Sequence, residues 1–343
     1  MNFSEIFRDL HQKYPARNPG SGELKEVIRQ TKEAAATYGL TMEAKEIPVY
    51  AARTALLFFS LISCAAFLLG LAIPWAGFVG QLIISIILFR EVVSPVLSRL
   101  KPGSSTNLTL KIPARSKETQ RIYLVTALST DRFAGLATEA LAPWSISAIA
   151  VLPLLFQAFN WLGGWHPGLY LVLPVIAVGL LLALLQGKAT PAGSLVNCAV
   201  LLELAAILSK SRAGTTTVSL IFTGARSLNS ALLNIYPEFK QTELAYLINL
   251  TERSGKAITL ATAEGSLIPR RTDPVLLDLI GAAAQRKNIA VAKGPLPEIN
   301  ETYPFKLLGR QAVTVANPLL ENSQRDLREL LSGLIRLVDH PQE

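Results

Sequence analysis

An α/β domain interrupted by long apolar segments is the architecture this sequence predicts, and three observations predict it. Leu195–Ser227 reads as an apolar helix (Leu195–Ser209), a polar turn with Gly214, and a β-branched strand (Thr215–Phe222) ending in a tight Thr223-Gly224-Ala225 corner. Helix, turn and buried strand form the unit of an α/β sheet, and the corner at the strand's C-terminal end is where such sheets keep their sites. Elsewhere the chain carries uncharged apolar runs at Leu56–Ile73, Phe78–Phe89, Trp144–Leu162 and Leu169–Leu185. Half of the 343 residues are hydrophobic and 17% are charged, with mean hydropathy +0.36, more apolar than a domain wholly surrounded by water requires.

The elements follow in order. Phe3, Ile6, Phe7 and Leu10 make a short amphipathic pattern that carries acids and is not a signal peptide. Ser21 caps a helix running to about Tyr38, which Gly39 stops, and Thr41–Tyr50 alternates as a strand. Leu56–Ile73 has the length of a bilayer crossing. Phe78–Phe89 is too short alone but spans when taken from Trp75 to about Val93, with Arg90 snorkelling or pairing with Glu91. Asn107–Ile112 and Arg121–Leu128 read as strands, and two further apolar runs follow, joined by Gly163–Gly168. After Lys188 the α/β pattern resumes. Glu243–Leu250, Lys256–Thr262 and Gln311–Ala316 are strands, Asp273-Pro274 opens a helix to about Lys287, and Ser323 caps a last helix to Val338.

Two apolar pairs of this kind predict two membrane hairpins, at 54–98 and 143–187, with the bilayer as partner. Their turns, Pro74–Gly77 and Gly163–Gly168, lack Lys and Arg, while Arg53, Arg90, Arg99, Lys101, Arg132 and Lys188 flank the other ends. Basic flanks stay inside, so the expectation is a multi-pass inner-membrane protein with its α/β domain in the cytoplasm. The net charge of +8 fits anionic lipid, and no Lys/Arg run interleaved with aromatics points to nucleic acid. Cys64 and Cys198 have the spacing of neither a disulfide framework nor a metal knuckle.

Several motifs carry a resemblance. Arg17, Pro19, Gly20 and Ser21 stand before the first helix, and Gly39-Leu40 after it. Leu201-Leu202-Glu203-Leu204-Ala205 then leads to the strand Leu220-Ile221-Phe222-Thr223-Gly224-Ala225. This order resembles the M28 family of zinc aminopeptidases. The resemblance implies a three-layer α/β/α zinc-exopeptidase-like domain with a mostly parallel mixed sheet, assembled from 1–53, 99–142 and 188–343. That family holds two zinc ions with two histidines and three carboxylates and uses a glutamate as general base. Carried over by position, the first ligand pair falls at Leu128 and Thr130, and the bridging aspartate at Gly193. The base and its neighbouring ligand fall at Arg226 and Ser227, the next aspartate at Thr251, and the last histidine at Thr302, before Tyr303-Pro304-Phe305.

None of those residues ligates zinc in that chemistry, and the whole chain has only His11, His166 and His340. The expectation is therefore a protein inactive as a zinc peptidase, with no cofactor, that binds a peptide or an unknown protein partner. Asp131, Glu252 and Glu301 each lie one residue from a lost ligand and mark a vestigial cleft. They are oxygen donors suited to Mg²⁺ or Ca²⁺, and Asp131 or Glu301 is a partner for Arg226 in a structural ion pair that closes the pocket. A hydrolase with a rebuilt site and a membrane scaffold or permease-associated subunit are the competing readings.

Overall fold

The computed structural model describes residues 3–49, 52–93, 103–130, 152–162, 195–225, 239, 244–253, 255–265, 269–296, 301–318 and 321–340. Its strands are β1 (Glu43–Val49), β2 (Gly103–Ile112), β3 (Gln120–Ala127), β4 (Thr216–Thr223), β5 (Leu244–Glu252), β6 (Ile258–Glu264), β7 (Arg270–Arg271), β8 (Val291–Leu296) and β9 (Ala312–Asn317). Among the described residues they form one sheet in the order β1-β2-β4-β3-β5-β9-β6-β7, with β8 paired to β6. β4, β3, β5 and β9 run parallel, while β2 and β6 are antiparallel to their neighbours β4 and β9. The sheet is therefore mixed, and four strand tips end side by side.

Alternation along the strands divides the core. Ile122 and Leu124 of β3 face one side, where they join Leu220 and Phe222 of β4. On that side lie α1 (Phe3–Lys13), α2 (Gly22–Thr37), α6 (Val196–Lys210), α7 (Pro274–Arg286) and α9 (Glu321–Asp339). Tyr123 and Val125 face the other side and pack with Ile221, Leu247, Phe239 and Phe305, the last from the short helix α8 (Tyr303–Leu307). Buried on both faces, β3 and β4 read as continuous apolar runs rather than alternating ones.

Local signals explain the helix ends. The Ser21 hydroxyl accepts from the Leu24 N–H at 3.2 Å, and Asp273 accepts from Val275 and Leu276 with Pro274 in the first turn. Ser323 is not the cap expected of it. α9 already begins at Glu321, and the Ser323 hydroxyl donates to the Pro318 carbonyl instead.

At the far end of α9, Asp339 accepts from the backbone N–H groups of Gly214, Thr215 and Thr216 at 2.6, 2.7 and 3.1 Å. It thereby fastens the turn that starts β4. Burial alone raises this carboxyl's pKa, but the hydrogen bonds from Thr215 and Gly214 outweigh it and hold the pKa below the usual carboxylate range. A depressed folded pKa gives stability that is present above the unfolded pKa and lost as pH falls through the folded one. D339N is expected to cost about 2 kcal/mol at neutral pH. It should also flatten the acid limb of a urea-denaturation series below about pH 4.

The membrane assignment does not hold. Among the described residues no helix is long and apolar enough to cross a membrane, so the two transmembrane hairpins and the multi-pass inner-membrane location with a cytoplasmic domain are corrected here. The 54–98 segment folds as α3 (Ala52–Ala72) and α4 (Pro74–Val93) packed on each other. They approach so closely that a Cβ on Gly77 would lie 2.2 Å from the Gly70 Cα. Of the third run the described part forms α5 (Leu152–Trp161), and residues 144–151 lie outside the described residues.

The physical reason lies in how these helices pack on one another. Ala66, Phe67 and Ile84 are buried, while Leu61, Leu68, Ile83 and Ile86 stay exposed. Phe67 packs with Cys64 and Phe156, and polar groups sit between the helices. Ser63 donates to Gln81 at 3.0 Å, and Gln157 to the Phe67 carbonyl at 3.3 Å. Uncharged length reads the same way for a packed helix as for a span. The run Leu169–Leu185 lies outside the described residues.

Candidate functional site

The tips of β4, β3, β5 and β9 form the floor of the site. Past the end of β3, the Leu128 N–H donates to the Thr223 carbonyl at 2.8 Å. Leu128 and Thr130 are fully buried, and both are clamped from the N-terminal segment. Arg17, itself 1% exposed, donates from Nε to the Leu128 carbonyl at 2.8 Å and from its backbone N–H to Thr130 Oγ1 at 2.7 Å. The Thr130 N–H returns a bond to the Arg17 carbonyl at 2.9 Å. The first expected ligand pair is thus an apolar residue and a bonded hydroxyl.

At the β4 tip, the Gly224 N–H donates to Asn107 Oδ1 at 3.0 Å and the Ser105 hydroxyl donates to the Gly224 carbonyl at 2.7 Å. Thr251 and Glu252 close β5 and are buried. Glu252 stands in register with Asn317 of β9. Asn317 Nδ2 donates to Asn197 Oδ1, in the first turn of α6, at 3.0 Å.

The expected histidine position, Thr302, lies in a closed polar network. Its hydroxyl donates to Glu264 Oε2 at 2.6 Å, so its oxygen is left to accept from Thr314 at 2.8 Å. Glu264 Oε1 has no hydrogen bond of good angle but lies 3.1 Å from the Lys306 ammonium. The Lys306 ammonium also donates to Thr272 Oγ1 at 2.7 Å, and the Thr272 hydroxyl donates to the Ala261 carbonyl at 2.5 Å. The side chains of Lys306 and Glu264 are 2% and 0% exposed. Burial pulls the Lys306 pKa down, opposed by the Glu264 charge and hydrogen bond.

Among the described residues the donors at the expected ligand positions do not fit a pair of zinc ions. Zinc takes thiolate, imidazole or carboxylate. Here Leu128 offers no donor, the hydroxyls of Thr130 and Thr302 are already engaged, and an ammonium sits beside the nearest carboxylate. Among the described residues no three of His, Cys, Asp and Glu gather where they could hold a metal. Glu301, next to Thr302, is 9% exposed. Gly193, Arg226, Ser227 and Asp131 fall outside the described residues, and with them the expected pairing of Arg226 with Asp131 or Glu301.

Sequence reasoning named Thr302 but missed Glu264 and Lys306. Lys306 follows Thr302 by four residues, the one local hint that they share a helix face. Glu264 reaches the cluster only through sheet pairing.

No family model matches the chain, and no curated relative matches it either. Solved structures do. The zinc aminopeptidase of Bacillus subtilis superposes with a TM-score of 0.54 at 9% identity, covering 100% of this chain and 96% of that one. A glutaminyl cyclase of Fimbriiglobus ruber gives 0.53 at 13%, covering 98% and 94%. A leucine aminopeptidase precursor of Bacteroides thetaiotaomicron gives 0.52 at 10%, covering 97% and 95%. At such identities the likeness concerns architecture alone: the chain has a mixed α/β fold resembling that of zinc-dependent exopeptidases and glutaminyl cyclases.

Proposed function

We propose that this chain is a binding module on an exopeptidase-like fold, inactive as a zinc peptidase, whose cleft at the strand tips takes a peptide-like ligand or a protein partner. The observation that carries the reading is the engagement of Thr302. Its hydroxyl is spent on Glu264 and Thr314, and Lys306 neutralises the carboxylate behind it. A hydrolytic zinc needs at least one open coordination position and a carboxylate able to take a proton from bound water. A carboxylate tied to a lysine and a threonine is poorly placed for that. The aminopeptidase names among the structural neighbours support a peptide as the class of ligand.

The test combines metal analysis, turnover and binding on the purified full chain. The expected result is substoichiometric zinc and no hydrolysis of leucyl- or glutaminyl-anilide with zinc supplied. A pool of tripeptides is expected to raise the melting temperature by mass action. Bound zinc accompanied by turnover would overturn the reading and favour a hydrolase with a rebuilt site.

A further inference from the structure

We propose that the Lys306 ammonium is the resident structural cation of the buried network around Thr302, holding together by its own charge oxygen-bearing segments from β6, β9, α8 and the turn after β7. The inference goes beyond the binding function and stands whether or not the cleft takes a peptide.

The geometry supports it bond by bond. Lys306 on α8 reaches Glu264 at the end of β6 and Thr272 just after β7. Through Glu264 the charge extends to Thr302 and from there to Thr314 in the middle of β9. Every hydroxyl in the chain is used in one direction. Thr314 gives to Thr302, Thr302 to Glu264, and Thr272 to the Ala261 carbonyl, so the Thr272 lone pair is free for the ammonium.

Glu264 Oε1 is the decisive atom. Fully buried and lacking a well-angled hydrogen bond, it is compensated by the ammonium charge. An isolated buried carboxylate is strongly disfavoured unless a cation accompanies it. A single positive charge that gathers oxygens from separate segments does the structural work of a bound metal, and it leaves no room for a second cation at the same carboxylate.

A mutant cycle read by thermal unfolding tests this, with chelation as a second arm. K306M removes the cation and leaves Glu264 uncompensated, and should lower the melting temperature by about 5–10 °C. E264Q strands the ammonium and should also be destabilising. The double variant E264Q/K306M keeps the Thr302 bond to a neutral amide and should melt above K306M, because the cost lies in the lone charge rather than in the lost pair. Excess EDTA should leave the wild-type melting temperature unchanged.

A double variant that melts below both single variants would overturn the proposal, as would a wild-type protein destabilised by EDTA. Should K306M fail to fold, a folded double variant supports the proposal, and an unfolded one refutes it. None of these outcomes depends on peptide binding, so failure here is distinguishable from failure of the proposed function.

Discussion

Replacing Arg17 by alanine is expected to destabilise the protein by about 4 kcal/mol, among the largest single-residue effects in the fold. The guanidinium is buried and does two jobs that no neighbour can take over. It donates to the Leu128 carbonyl at 2.8 Å and to the Tyr14 carbonyl at 2.6 Å. Truncation leaves both carbonyls short of a donor where water does not reach freely. It also removes the largest fully buried side chain among the described residues, opening a cavity.

Lysine is not a conservative replacement here. An ammonium cannot present a planar fork to two carbonyls at once, so R17K should recover only part of the loss, about half. Urea denaturation of the three proteins measures this. His11 supplies a second readout, because its Nδ1 lies 3.5 Å from Arg17 Nη1. Burial first, and the Arg17 charge second, hold the His11 pKa below its ordinary value. In R17A the second cause disappears, so the ring should titrate higher than in wild type by NMR while burial still keeps it below about 6.5. The sign follows: a histidine with a depressed folded pKa contributes stability above the unfolded pKa that is lost as pH falls. R17A should weaken that acid dependence. An unchanged His11 titration would show that the guanidinium charge does not reach the ring.

How much of this was legible in the sequence depends on range. Ser21 before α2 and Asp273-Pro274 before α7 are local signals, and both helices begin where those residues place them. The β-branched run of β4 marked a buried strand, and the apolar residues of β3 marked a strand, for the same local reason, since buried strands need apolar side chains on both faces. β8 escaped because Gly294-Pro295 argues against a strand, and an edge position beside β6 tolerates them, with a register shift along the pair. α8 is a single turn of 5 residues, too short for any periodicity to mark it. The Lys306 network was invisible because β6, β7 and β9 bring Glu264, Thr272 and Thr314 together over separations that no periodicity records. The membrane reading failed for a related reason. Length and lack of charge describe a run of sequence, but whether its side chains meet lipid or another helix is decided by partners such as Gly70 against Gly77.

The same logic of partners makes Gly224→Ala the second large effect, about 3–5 kcal/mol by equilibrium unfolding. Its φ is not in the left-handed region, so the demand for glycine is one of space. A Cβ built there would lie 2.3 Å from the Thr106 carbonyl oxygen and 2.5 Å from the Ser105 hydroxyl. The hydroxyl can rotate away, but the carbonyl belongs to β2 and can yield only if the strand moves. Such a shift pulls the Gly224 N–H from Asn107 and its carbonyl from Ser105, both at buried positions.

A double variant separates the two causes. S105A alone should cost about 1 kcal/mol, the net worth of one hydrogen bond. If the clash with the hydroxyl governed the loss, S105A/G224A would recover most of the stability. The backbone contact with Thr106 predicts instead that the double variant stays as unstable as G224A. Because this corner is the tip of β4, beside Leu128 and Arg17, G224A should also abolish whatever ligand-dependent rise in melting temperature the tripeptide pool produces. The distant D339N change should lower stability while leaving that rise intact.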